Sequence, residues 1–113
     1  MLISELLEKF DERFEIVNRS DEAGETEITK VFCCDLLSFA MARNPAGSVW
    51  VTVMGNVNTM GVMALTDGGA VIIAENAALD ENAAKKAAEQ NITVIKTSLP
   101  VFEAALFVHN LLS

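Results

Sequence analysis

Three short apolar runs constrain this chain more than any other feature: SVWVTVM at 48–54, GAVIIAE at 69–75 and ITVIKT at 92–97. Each is rich in β-branched residues and reads as a strand, and the first two are continuous enough to be buried strands. Segments of helical length separate them. Strands alternating with helices favour parallel pairing through right-handed crossovers. The expected fold class is therefore α/β: a single-domain layered fold, residues 1–113, with a mainly parallel sheet flanked by helices.

The flanking pattern fills in the helices. Asn58 to Leu65 suits the first crossover, Asp80 is placed to cap a helix running to Gln90 with Asn91 at its exit, and SLPVFEAALFVHNLL closes as a helix with Pro100 in its first turn. Asp35 is placed to cap a short helix through Leu36, Leu37, Phe39 and Ala40, which ends before RNPAG. Leu2, Ile3, Leu6, Leu7 and Phe10 recur at helical spacing. Phe14 to Val17 alternates as a strand, NRSDEAGE is a polar turn region, and Thr26 to Cys34 is a second strand candidate. This order predicts an N-terminal hairpin with an acidic loop.

Charge narrows the partners. The net charge is −8, and residues 1–27 hold nine of the sixteen acids against Lys9, Arg13 and Arg19. A nucleic-acid binder shows a basic footprint, and anionic membranes attract basic segments; neither partner is expected here. No apolar run approaches the ~18 residues of a membrane span, and the N-terminus lacks signal-peptide features, so a cytoplasmic location is expected. Cys33 and Cys34 are adjacent, a spacing unsuited to redox or zinc pairs, and are expected to be reduced thiols buried in a strand.

MGNVNTMGVMALTDGG at 54–69 carries four of the six glycines. It contains neither a P-loop, since no lysine follows Gly61, nor the Gly-x-Gly-x-x-Gly dinucleotide fingerprint. Two readings stay open. In one, the strand end and helix start form a ligand pocket from Gly55, Asn56, Asn58 and Thr59, with Thr97 and Ser98 as neighbours at the end of the last strand. In the other, Asn56 caps the helix while Gly61 and Ala64 allow close packing. TDGG reads as a helix exit, with Gly68 or Gly69 at positive φ.

No catalytic set is recognisable. His109 is the single histidine, Ser38 and Ser98 have no triad partner in order, and no metal-ligand spacing occurs, so no enzyme activity, metal or cofactor is expected. The helices at 58–65 and 101–112 are apolar nearly all round, which predicts cover from outside the chain. A homodimer is expected, with Met60, Gly61, Met63, Ala64, Phe102, Leu106 and His109 at its interface.

From Glu27 to Leu112 the chain resembles the DRTGG domain, a relative of the N-terminal domain of HPr kinase/phosphorylase. The resemblance rests on CDLLS after a strand, VWVTVMGNVNTMGVMAL, AVIIAEN and NITVIKTSLPVFEAA, in that order. It implies an α/β module that dimerises and accompanies enzymes such as CBS-containing pyrophosphatases, phosphotransacetylases and HPr kinases. The P-loop kinase segment of the last group is not within residues 1–113. The expected function is a non-catalytic regulatory or sensory domain that binds a small ligand, such as a nucleotide or phosphometabolite, or a protein partner. The alternatives are a purely structural interaction module and a phosphoryl-transfer enzyme, the latter lacking a phosphate anchor and a metal site. Where relatives have Gly-Asp-Arg the chain has Gly55, Asn56 and Val57, and where they have Thr-Gly-Gly it has Ala74, Glu75 and Asn76. Glu75 places a charge there that opposes phosphate.

Overall fold

A computed structural model describes residues 1–113. The elements are α1 (Ile3–Lys9), β1 (Phe14–Asn18), β2 (Lys30–Cys33), α2 (Leu37–Arg43), β3 (Ser48–Thr52), α3 (Val57–Thr66), β4 (Ala70–Ile73), α4 (Glu81–Glu89), β5 (Thr93–Thr97) and α5 (Val101–Leu112). The strands form one five-stranded sheet in the order β1-β5-β4-β3-β2. From β2 to β5 the pairing is parallel, as the apolar runs predict, and β1 joins β5 antiparallel.

The predicted hairpin does not form. β1 and β2 lie on opposite edges of the sheet, with Phe14 opposite Thr97 and Val31 opposite Val49. A local alternating pattern specifies a strand but not its partner, and the segment between these two strands instead covers α1. Ile3 N donates to Thr26 O at 3.0 Å and Ile28 N to Met1 O at 2.7 Å.

The central strands are buried on both faces, which is why they read as unbroken apolar runs. Val49, Val51, Ile72 and Ile95 point to the α1 and α5 side, where they meet Leu6, Phe14, Ala104 and Val108. Trp50, Val71, Ile73 and Val94 point the other way, against Ala40 of α2, Met60 and Met63 of α3 and Ala83 and Ala87 of α4. Three consecutive right-handed crossovers place α2, α3 and α4 on one face. Only the connection after β5 crosses to the other.

Several local expectations change partners. Asp35 does not cap α2, whose N-cap position is Leu36; its Oδ1 accepts instead from Thr52 Oγ1 at 2.7 Å and Val53 N at 3.0 Å. Left-handed backbone at the exit of α3 falls on Asp67 (φ 55°), not on Gly68 or Gly69. Those two glycines serve close packing, since a Cβ on Gly68 would sit 2.7 Å from Met63 Sδ and one on Gly69 3.0 Å from Ser48 O. Asn91 does end α4 with a left-handed residue (φ 60°). Cys33 is exposed rather than buried, because β2 is an edge strand.

Candidate functional site

The carboxyl ends of β3, β4 and β5 gather most of the residues singled out from the sequence. At the exit of β3 their polar groups are engaged within the chain. Asn56 Oδ1 accepts from Thr59 N at 3.1 Å as the N-cap of α3, and Thr59 Oγ1, fully buried, donates to Met54 O at 2.6 Å. What approaches Gly55 is the chain itself: an added Cβ would lie 2.1 Å from Ala78 O, and Gly55 O accepts from Asp80 N at 2.8 Å. None of these three residues lines a cavity, and Asn58 opens onto a different groove, between α2 and α3.

Thr97 and Ser98 sit elsewhere, beyond the exit of β4. The connection after β4 leads to α4 on one face while that after β5 leads to α5 on the other, and such a reversal leaves a crevice at the carboxyl ends of the strands. There, Asn76, Lys96, Thr97 and Ser98 face Glu12, Arg13 and Glu15 at the entrance of β1 across a cavity of about 210 Å³. Thr97 Oγ1 donates to Arg13 O at 2.7 Å, which ties the two edges together. Arg13 is itself oriented. Its Nε and Nη2 donate to the two Asp11 carboxylate oxygens at 2.9 and 2.7 Å, and its guanidinium carbon lies 5.6 Å from the centre of the Phe107 ring. Hydrogen bonds from the Arg13 side chain and its N–H hold the Asp11 carboxyl down to about 2. The pair is thus charged throughout the neutral range, with Arg13 Nη1 left outside it. Lys96 takes part in no ion pair.

Arg13 escapes a sequence reading that pairs β1 with β2, because only the β1–β5 pairing brings it to Thr97. Lys96 adjoins Thr97 in the chain, and Asn76 reaches it from the exit of β4, its N–H donating to Thr97 O at 3.0 Å.

The turn after β4 carries backbone strain. Glu75 (φ 61°) and Asn76 (φ 54°) are consecutive left-handed residues, at the positions where the sequence resemblance puts two glycines. Left-handed backbone costs a residue with a Cβ about 1 kcal/mol. Glu75 offsets this by capping α5: its Oε2 accepts from Val101 N at 2.9 Å, and its own N–H donates to Leu99 O at 2.9 Å. Glu75→Ala, losing the cap and keeping the strain, is expected to destabilise the fold by about 1 kcal/mol. Glu75→Gly loses the cap but relieves the strain and should lie within about 0.5 kcal/mol of the parent in urea unfolding.

The expected dimer residues divide. Met60 and Met63, at 0% and 2% exposure, belong to the chain's own core and are not available to a partner. Gly61 and Ala64 remain outside the core: Gly61 lines a groove of about 280 Å³ with Leu37, Met41, Val57, Leu65 and Lys86, and Ala64 is exposed beside a different cavity, at the amino ends of the strands. Phe102, Leu106 and His109 line a groove of about 270 Å³ with Val31, Cys33 and Ala105 on the opposite face of the sheet. One two-fold contact through helix faces cannot use both, because the sheet stands between them.

No group of three or more His, Cys, Asp or Glu side chains is close enough to hold a metal ion. Partial desolvation of the sulfur against its neighbours, reinforced by the Asp35 charge, pushes the Cys33 thiol up, so it stays protonated at neutral pH. The largest cavity, about 360 Å³, lies at the amino ends of the strands among Ser20, Glu22, Thr26, Asp67, Gln90 and Asn91, with no cation in its lining. No helix is long and apolar enough to cross a membrane.

No family model and no curated protein matches the chain. Among solved structures it is similar to the CBS and DRTGG domains of the regulatory region of Clostridium perfringens pyrophosphatase, a structure complexed with the activator diadenosine tetraphosphate. The superposition has a TM-score of 0.70 at 17% identity, covering 84% of this chain and 41% of the other, so the chain spans less than half the length of the structure it matches. The shared property is the fold: a mostly parallel five-stranded sheet between helical layers, of the DRTGG-like kind.

Proposed function

We propose that the chain is a non-catalytic regulatory or sensory domain that homodimerises and takes a small phosphorylated ligand in the crevice between β1, β4 and β5. The observation that carries the ligand part is that Arg13, held by Asp11, and Lys96, which makes no ion pair, line one crevice with Asn76, Thr97 and Ser98, at the place where the crossovers reverse sides. Arg13 Nη1 and the Lys96 ammonium supply charge, and Ser98 and Asn76 supply neutral hydrogen bonds. Glu12 and Glu15 also line the crevice and oppose an anion there, so the phosphate must be held by direct contact with the two cations. The likeness to a regulatory region complexed with a dinucleotide activator supports this reading.

Calorimetry and thermal unfolding with diadenosine tetraphosphate, AMP, ATP and inorganic pyrophosphate test it. A probe at ten times its Kd is expected to stabilise the fold by about 1.4 kcal/mol. Lys96→Ala should weaken that probe about tenfold and leave the unliganded melting temperature within about 2 °C, since the ammonium makes no ion pair. Four blank titrations at millimolar concentration would reject a phosphorylated ligand.

A second reading, a module that binds only protein, is favoured by the groove between α2 and α3, where Met41, Val57 and Leu65 are 52%, 36% and 73% exposed. Blank titrations, together with binding of a protein partner that Leu65→Glu abolishes, would select it.

A further inference from the structure

The open edge of the sheet carries a more specific statement about the homodimer, and rests on that reading. β2 has a neighbour on one side only. Its register places Lys30 opposite Ser48 and Cys33 opposite Val51, and Cys34 N donates to Val51 O at 3.4 Å. Backbone groups alternate along a strand, so Lys30, Phe32 and Cys34 address β3 while the N–H and C=O groups of Val31 and Cys33 turn outward. Unpaired edges of this kind are templates for another strand. β2 is short and begins with Lys30, which limits open-ended pairing, but it has no proline and no bulge and no charge at Val31, Phe32 or Cys33, so its outward groups stay free for one partner strand.

The apolar side chains left exposed lie around this same strand. Phe102 and Leu106 of α5, 69% and 40% exposed, share a groove with Val31 and Cys33 on one face. Leu36 and Phe39, 60% and 49% exposed, follow directly from β2 at the start of α2. Pairing of four-residue strands alone covers too little for a stable dimer, which needs ~800 Å² from each partner; these side chains extend the contact.

We infer that a second copy of the chain pairs antiparallel through β2, with Phe32 on the two-fold axis, so that one sheet runs through both subunits and α5 packs beside its mate. The register follows from the alternation. A centre at Phe32 sets Val31 opposite Cys33 of the other copy, so both outward-facing residues of each chain exchange hydrogen bonds. It also joins side chains of like face: Val31 and Cys33 both lean toward α5, while the two Phe32 rings, on the α2 side, form an aromatic cross-strand pair. A centre at Val31 uses only one outward residue of each chain.

Sedimentation of the full chain over a concentration series, with four variants, tests the inference. The parent is expected to sediment as a dimer of the 12.2 kDa chain at micromolar concentration. Val31→Pro removes an outward N–H while keeping the β2–β3 ladder, and is expected to raise the dimer Kd at least about tenfold. Phe102→Glu, at an exposed position, is expected to do the same without touching the backbone. Leu65→Glu, in the groove on the other side of α3, should leave the dimer intact. In a Cys33→Ser, Cys34→Ser background, Phe32→Cys should oxidise to a covalent dimer, since a non-hydrogen-bonded antiparallel pair spaces its Cα atoms about 4.5 Å apart, within disulfide reach. A dimer dissociated by Leu65→Glu but not by Val31→Pro or Phe102→Glu would overturn the β2 assignment and leave the homodimer standing. A parent that stays monomeric at every concentration would overturn both.

Discussion

Gly55→Ala is expected to lower the melting temperature by about 12 °C, whereas Gly61→Ala, six residues further on, is expected to raise it. A Cβ on Gly55 would lie 2.1 Å from Ala78 O, with Ala78 C and Leu79 Cα at 3.0 Å. All three atoms are backbone, so no rotamer change relieves the overlap. The segment they belong to is fixed at one end by the bonds of Glu75 and Asn76 to the β5 exit and at the other by Asp80 N on Gly55 O. Separating the two loops would break that last bond and disturb the start of α4, a cost of about 3 kcal/mol. For a domain of this size about 1 kcal/mol corresponds to about 4 °C. Gly61 sits mid-helix with nothing within 4 Å of a Cβ. There the gain is that of alanine over glycine in a helix, about 1 kcal/mol. Urea and thermal unfolding of both variants read the two signs directly, and a mild Gly55→Ala would mean that the β3 and β4 exits are less tightly joined than the structure places them.

The contrast between these glycines shows what can be read from one sequence. Strands β3, β4 and β5 are legible because burial on both faces leaves a run of apolar, β-branched residues in the chain itself. The cap at Asn56 is legible because donor and acceptor are three residues apart. The placement of β1 is not, since Phe14 pairs with Thr97 across most of the chain and a hairpin satisfies the same local alternation. The crevice inherits that error. Thr97 and Ser98 could be named from the end of a strand, but Arg13 reaches them only once β1 lies on β5. Met60 and Met63 are instructive in the opposite sense. A helix apolar all round does not announce which side the sheet will take, and the sheet took these two, leaving Val57, Ala64 and Leu65 outside.

Trp50→Ala is expected to cost about 3–5 kcal/mol, a large part of the stability of a domain this size. The indole is fully buried on the helix-covered face of β3 among α2, α3 and α4, and no neighbour can fill its volume without leaving a helix or the sheet. Its consequence for function lies in a second contact. Trp50 Nε1 donates to Cys34 O at 2.9 Å, just past the end of β2, where the last rung of the ladder, Cys34 N to Val51 O, is long at 3.4 Å. The indole therefore ties down the same edge strand that the dimer reading engages. Trp50→Phe keeps most of the ring volume and removes the tie, leaving Cys34 O without its side-chain donor at a cost of about 1–2 kcal/mol. Amide hydrogen exchange should then accelerate at Cys34 more than at the central strand β4, and the dimer should weaken in step with it. Equal acceleration throughout the sheet would mean that Trp50 supports the core alone, and that the edge of β2 is held by its own backbone.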